Sequence, residues 1–316
     1  MLILCSSAAD LQRAAEILRE GGLVAFPTET VYGLGARADE AGAVAKIFAA
    51  KGRPADHPLI VHLPAAEAID AWARDVPETA RRLAERFWPG PLTLILRRAP
   101  GVLDAVTGGQ DTVGLRVPGN PVARGLLQAA GLGVAAPSAN RFGRISPTTA
   151  EHVITELEGR VDAVVDGGPC DVGVESTIVD LSGEAPRLLR PGGITAEALE
   201  QVLGRAPLPP DAEAPRVPGA LASHYAPTTR MVLATDVADA VSDAAPSREV
   251  VVLGLSSPRD GVRWVAMPDD PVAYARVLYA RLREADESSA QTIVVERPPE
   301  TWAAVIDRLQ RAASTG

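Results

Sequence analysis

Lysine is almost missing from this sequence. Of 31 basic residues only Lys46 and Lys51 are lysines, and the rest are arginines. Acidic residues number 40, so the net charge is −9. That balance argues against a chain that coats nucleic acid, because phosphate contacts need clustered cations, although it leaves room for a local basic groove. Cysteine is equally scarce. Cys5 and Cys170 cannot build a disulfide framework or a four-thiolate zinc site. With four histidines, a dedicated His/Cys metal centre is not expected either, and the anticipated metal ligand set is none. No apolar run approaches the roughly 20 residues of a membrane helix. The first ten residues lack a cationic stretch ahead of a long apolar one, so no signal peptide is expected and a reducing, cytoplasmic setting fits. Glycine (28) and proline (27) are plentiful, and they concentrate in short loops, where sites usually lie.

Between these loops strand and helix signals alternate. Strands are expected at Leu2–Cys5, Leu23–Phe26, Leu59–Leu63, Leu92–Leu96, Val113–Val117, Val134–Ala136, Ala163–Val165 and Thr177–Leu181. Helices are expected at Leu11–Arg19 behind an Asp10 cap, and at Ala41–Ala50, Glu78–Phe87, Val122–Ala130, Thr149–Leu157 and Ala196–Leu203. Such a mixture predicts an α/β domain around one twisted sheet. Arg205–Pro218 then holds prolines at 207, 209, 210, 215 and 218. No packed helix or central strand tolerates that density, so an extended linker is expected. Beyond it, strands Met231–Ala234, Val250–Leu253, Val262–Ala266 and Thr292–Val295 alternate with helices Val237–Ala244, Val272–Ala285 and Trp302–Ala312. They outline a smaller Rossmann-like α/β unit.

The usual nucleotide signatures are absent: Lys51 is followed by Gly52, Gly33-Leu34-Gly35 continues to Ala38, and no nucleophile elbow occurs. Three polar loops stand out instead. Pro27–Gly35 (PTETVYGLG) brings two threonines, a carboxylate and a phenol together after a strand: either it is a polar loop with a turn at its glycines, or it is part of a ligand site. Lys51–His62 (KGRPADHPLIVH) sets Lys51 and Arg53 at a helix end. Either it is a capped helix with solvated charges, or it is a clamp for phosphate or carboxylate made of a point charge and a fork. Ala136–Thr148 (APSANRFGRISPT) offers Ser138, Asn140 and Ser146 ahead of an expected helix start at Ser146–Thr149, and helix N-termini bind phosphate readily. Arg116 lies inside an apolar strand, where a charge is costly unless paired. Ser176 begins a strand, and Arg190 ends one before Gly192-Gly193.

Taken in this order, PTETVYGLG, KGRPADHPLIVH, WPGPLTLIL, TVGLRVP, APSAN with SPT, ESTIVD and LLRPG resemble the threonylcarbamoyl-AMP synthase, or YrdC-like, family. Pro218–Pro227 (PGALASHYAP) resembles the linker of its longer two-domain members. The resemblance implies a YrdC-like twisted open mixed sheet over residues 1–204, a linker or lid over 205–229 and the small Rossmann-like domain over 230–316. It implies that L-threonine, bicarbonate and ATP, the last with Mg2+, give L-threonylcarbamoyl-AMP and pyrophosphate by nucleotidyl transfer. The product would serve a threonylcarbamoyl transferase machinery acting on the adenosine beside the tRNA anticodon.

By motif position, Thr30, His62, Arg116, the Ala136 backbone and Ser176 would hold L-threonine. Lys51, Arg53, His57, Thr112, Ser138, Asn140, Ser146, Arg190, His224 and Tyr225 would hold ATP, the last two folding over the nucleotide. Lys51, Arg53 and Arg116 would supply charge for the chemistry. His57 stands where other members often carry Asn, Arg141-Phe142 replaces a smaller polar pair, and Ala220 replaces a frequent Met. An RNA-binding or ribosome-associated relative without adenylate synthesis is the alternative; a weak RNA contact is compatible with either reading. The carbamoyl-transfer maturation factor with a similar domain needs Cys-rich zinc fingers, which two cysteines cannot build.

Overall fold

A computed structural model describes residues 1–314 except 222, 245–248, 257 and 259–260. Ala222 of the PGALASHYAP segment therefore lies outside the described residues. The chain divides into two compact units. The first comprises 1–142, 147–171 and 175–220, and the second comprises 143–146, 172–174 and 221–316.

The first unit is built on ten strands: β1 Leu2–Leu4, β2 Val24–Phe26, β3 Gly33–Arg37, β4 Ile60–His62, β5 Leu92–Arg97, β6 Thr112–Arg116, β7 Val134–Ala135, β8 Ala163–Val165, β9 Thr177–Asp180 and β10 Arg187–Arg190. They form one mixed sheet in the order β1-β8-β2-β3-β7-β4-β6-β5-β9-β10. Its helices are α1 Ala8–Arg19, α2 Ala41–Lys51, α3 Ile69–Trp72, α4 Glu78–Phe87, α5 Asp104–Thr107, α6 Pro121–Ala130, α7 Ala150–Leu157 and α8 Ala196–Leu203. One apolar cluster gathers Val44, Ile47, Leu83, Leu94, Leu115, Val153 and Leu199. A second packs Ala14, Leu18, Leu126 and Leu127 against Val24, Phe26 and Val134, burying the inner stripes of α1 and α6.

Several local expectations need correction. Helix α1 starts earlier than expected, because Ser7 is its cap: the Ser7 hydroxyl accepts the Asp10 N–H. The glycines of PTETVYGLG do not turn. They lie in β3, antiparallel to β2, and a Cβ at Gly35 would sit 2.8 Å from both Phe26 Cε1 and Val134 Cγ1. The strand is thus set by close packing and not by side-chain propensity. Helix α7 begins at Ala150, and of the expected start residues Thr149 is the cap, its hydroxyl accepting the His152 N–H. The proline-rich stretch is extended but adheres to the first unit. Leu188 donates its N–H to the Leu208 carbonyl and Leu208 donates its own to the Pro186 carbonyl, a parallel bridge at Arg187, and Gln110 bonds both the N–H and the carbonyl of Arg216. The first unit consequently runs to Ala220.

The second unit has a four-stranded parallel sheet of β11 Arg230–Ala234, β12 Val250–Gly254, β13 Arg263–Ala266 and β14 Thr292–Glu296. The order is β11-β14-β12-β13. Helices α9 Val237–Asp243, α10 Pro271–Asp286 and α11 Ala303–Ala313 accompany it. Asp236 caps α9 and Asp270 caps α10, each side chain accepting two backbone N–H groups. Among the described residues no helix is long and apolar enough to cross a membrane.

Candidate active site

The parallel pair β4 and β6 places His62 opposite Arg116 at the carboxyl ends of both strands, where open α/β sheets present ligands. Both side chains are buried. The Arg116 guanidinium is held at three points. Its Nε donates to the Gly90 carbonyl at 3.2 Å, Nη1 to Thr30 Oγ1 at 3.0 Å and Nη2 to Glu29 Oε1 at 2.6 Å. The Thr28 hydroxyl donates to the Val31 carbonyl at 2.6 Å, so the 2.8 Å contact between the two threonines must carry the Thr30 proton toward Thr28. Three of the five N–H donors of Arg116 are used in this way, leaving two for a ligand. His62 Nδ1 is buried and has no hydrogen-bond partner among the described residues. The ring packs edge-on against Phe26, 6.1 Å between centroids. Burial, and then the Arg116 charge, depress the imidazole to about 3, so it is neutral at ordinary pH. Burial opposes ionisation of Glu29, but the Arg116 charge and hydrogen bond, with the Gly119 N–H, hold its carboxyl below the usual range. Ala136 donates its N–H to the Ile60 carbonyl at 2.9 Å, which ties the 136–140 loop to β4.

Ser176 lies immediately before β9. Its hydroxyl is 2.7 Å from Thr93 Oγ1 of β5 and 3.1 Å from Arg190 Nη2. Arg190 also grips the Ser176 carbonyl through Nε and Nη2, at 3.0 and 2.9 Å, and the Pro218 carbonyl through Nη1. The turn after β10 comes so close that a Cβ on Gly192 would lie 2.4 Å from the Thr177 nitrogen. Arg190, expected at ATP, is thus buried against the backbone of an expected threonine-binding residue. Thr93 escaped notice in the sequence; its one signal is a hydroxyl inside the apolar run Leu92–Leu96.

Lys51 ends α2 and Gly52 caps that helix with a left-handed φ of 64°. The lysine is not solvated. Its Nζ donates to the carbonyls of Ser138 and Asn140 at 2.5 Å each, while the Phe142 N–H returns to the Lys51 carbonyl at 2.9 Å. Burial, and next the neighbouring Arg53, push the ammonium well below its ordinary pKa. Arg53 donates to the Pro58 carbonyl at 3.0 Å and stands 5.7 Å above the Phe142 ring. His57 meets the same ring edge-on at 5.4 Å, and burial followed by the Arg53 charge lowers its pKa. Thr112 pairs with Arg97 at the start of β6. The phenol of Tyr32, read in the sequence as part of a polar cluster, is instead buried in the core and donates to the Gly168 carbonyl at 2.8 Å.

Ser146, His224 and Tyr225 belong to the second unit. Ser146 is fully buried on a segment that α10 grips: Arg283 donates to the Ile145 carbonyl, and Arg144 pairs with Asp286 at 3.1 Å. Tyr225 is buried despite a left-handed φ of 62°. Its ring stacks on Tyr279 at 5.8 Å, meets His224 edge-on at 4.1 Å and carries the Arg308 guanidinium 5.3 Å from its centroid. Among the described residues no group of three or more His, Cys, Asp or Glu side chains is placed to hold a metal ion.

The chain is similar to known proteins along nearly its whole length. A family model described as "Telomere recombination" matches residues 16–192, and one described as "Threonylcarbamoyl-AMP synthase, C-terminal domain" matches 194–314. The chain is 40% identical to the threonylcarbamoyl-AMP synthase of Pyrococcus abyssi, over 95% of this chain and 93% of that one. Identity to the threonylcarbamoyl-AMP synthase of Bacillus subtilis is 42%, over 96% and 92%. A crystal structure of P. abyssi Sua5 complexed with L-threonine matches with a TM-score of 0.92 at 38% identity, covering 99% of this chain and 98% of that chain. Because these matches run through both units, the chain belongs to the threonylcarbamoyl-AMP synthase family.

Proposed function

We propose that this protein is a nucleotidyltransferase that makes L-threonylcarbamoyl-AMP from L-threonine, bicarbonate and ATP. The amine of L-threonine, having lost a proton, forms an N–C bond to carbon dioxide derived from bicarbonate and releases a second proton, giving a carbamate. A carbamate oxygen then bonds to the α-phosphorus, the bond from that phosphorus to the bridging oxygen breaks, and pyrophosphate leaves. Magnesium enters with the triphosphate as part of the substrate. The protein contributes orientation and charge. Thr30, His62, Arg116, the Ala136 backbone and Ser176 take L-threonine. Lys51, Arg53, His57, Thr112, Ser138, Asn140, Ser146 and Arg190 are assigned to ATP together with His224 and Tyr225. The product goes to the machinery that modifies the adenosine beside the tRNA anticodon.

The supporting observation is the unpartnered Nδ1 of His62, buried in register with Arg116. A buried polar atom without a partner is costly, so a bound ligand is the natural partner. The neutral ring and the two unused N–H groups of Arg116 suit an amino acid carrying a hydroxyl and a carboxylate. The test is pyrophosphate release by the purified protein. It is expected only when ATP, L-threonine and bicarbonate are all present; equal release with L-serine or with no amino acid would refute the assignment.

A further inference from the structure

The Arg116 fork would not hold its place by itself. A guanidinium at a strand end swings on a long stem, and three acceptors fix it here. Two of them, the Gly90 carbonyl and the Thr30 hydroxyl, are neutral. Glu29 is the charged one, and it is fixed in its turn. Its second oxygen accepts the backbone N–H groups of Gly119 at 2.9 Å and Asn120 at 3.2 Å. Those residues lie between the end of β6 and the start of α6, where Asn120 is the helix cap. Glu29 therefore joins the loop that carries Thr30 to the strand that carries Arg116 and to the segment leaving that strand. The pair is deeply buried, with 4% and 11% of the two side chains exposed.

We infer that Glu29 is a positioning residue for L-threonine: it fixes the Arg116 guanidinium and balances its charge, so that the amino-acid site is formed before the ligand arrives. This rests on the assignment of Arg116 to the threonine carboxylate. A buried ion pair by itself is weak evidence for stability or function. Here, however, the pair lies in contact with Thr30, and Arg116 keeps two donors unused. The charge balance fits an amino acid, which brings one charge of each sign. Without Glu29 the buried guanidinium would carry an unbalanced positive charge, and the site would favour simple carboxylates lacking the amine that the reaction needs.

The test compares Glu29→Gln and Glu29→Asp with the wild-type full chain. Pyrophosphate release gives KM for L-threonine and for ATP, and thermal melting with and without each substrate gives binding. Glu29→Gln is expected to raise the L-threonine KM at least tenfold and to remove the melting shift that L-threonine induces, while the ATP KM moves less than twofold. Glu29→Asp restores the charge one methylene short and should recover part of the loss. An unchanged L-threonine KM, or equal changes for L-threonine and ATP, would make Glu29 a structural ion-pair partner only and overturn the inference. If Glu29→Gln does not fold, the KM split of Glu29→Asp decides by the same criterion. A wild-type protein that L-threonine stabilises but that releases no pyrophosphate would refute the synthase reading, while the melting shifts would still decide the role of Glu29.

Discussion

Replacing Lys51 by methionine tests the ATP loop most directly. The substitution keeps an unbranched stem and removes the ammonium, so the carbonyls of Ser138 and Asn140 lose donors at 2.5 Å. Each buried acceptor left without a partner costs about 1–3 kcal/mol, roughly 2–6 kcal/mol for both. Part of that is recovered, because a buried cation is no longer desolvated; burial is the leading cause of its depressed pKa. The net loss should fall near the lower end, about 2 kcal/mol, which is on the order of 5 °C in the melting temperature of a domain this size. The 138–142 loop, released from Lys51, should raise the ATP KM about tenfold and leave the L-threonine KM within threefold. Thermal melting and pyrophosphate release measure both effects. A Lys51→Met protein that melts like the wild type and keeps its ATP KM would show that the two carbonyl contacts carry no weight. A variant that melts like the wild type but has a collapsed kcat at saturating ATP would put the ammonium on phosphate instead. Lys51→Arg keeps the charge, yet a planar fork does not fit where a compact ammonium sits between two close carbonyls, and activity should fall. Wild-type turnover in that variant would return Lys51 to a matter of composition.

Two more outcomes follow from the amino-acid site. Arg116→Ala should raise the L-threonine KM far more than the ATP KM, and equal effects would remove Arg116 from the carboxylate. His62 has a folded pKa of about 3 against an ordinary 6.5, so the unfolded chain takes up its proton first on acidification. The stability this histidine contributes is complete above pH 6.5 and drains away as pH falls toward 3, by at most about 4–5 kcal/mol. Acid titration of His62→Gln should show a flatter decline than the wild type; identical curves would mean that the imidazole is not held neutral by burial.

What the sequence made legible follows from how local each signal is. β5, β6 and β8 were readable because apolar runs of strand length end in turn residues. β3 was not, because Gly-Leu-Gly-Ala has no β-branched side chain and is held in the sheet by the closeness of Phe26 and Val134 to Gly35. The four-residue helices α3 and α5 are too short to show a 3.6-residue period. In the site, residue types could be read but not their partners. Thr30, His62, Arg116 and Ser176 were singled out, while the Glu29 bond to Arg116 and the Thr93 contact with Ser176 span 87 and 83 residues of chain. Only the sheet order brings such groups together.

Another long-range contact of this kind joins His57 and Phe142. In the sequence, His57 and Phe142 lie 85 residues apart and show no sign of a relation. In the fold their rings meet edge-on at 5.4 Å, and the Arg53 guanidinium stands 5.7 Å over the same phenyl ring. An asparagine opposite a phenyl face would lose hydrogen-bonding capacity, and a histidine opposite a small polar residue would lose its packing. Together the two rings form a contact of ordinary aromatic geometry and give Arg53 a π-face to rest on. The two rings therefore act as one aromatic support beside Arg53. Such a pairing is invisible in the sequence, because each ring reads as an isolated loop residue until the partner across the loop is known.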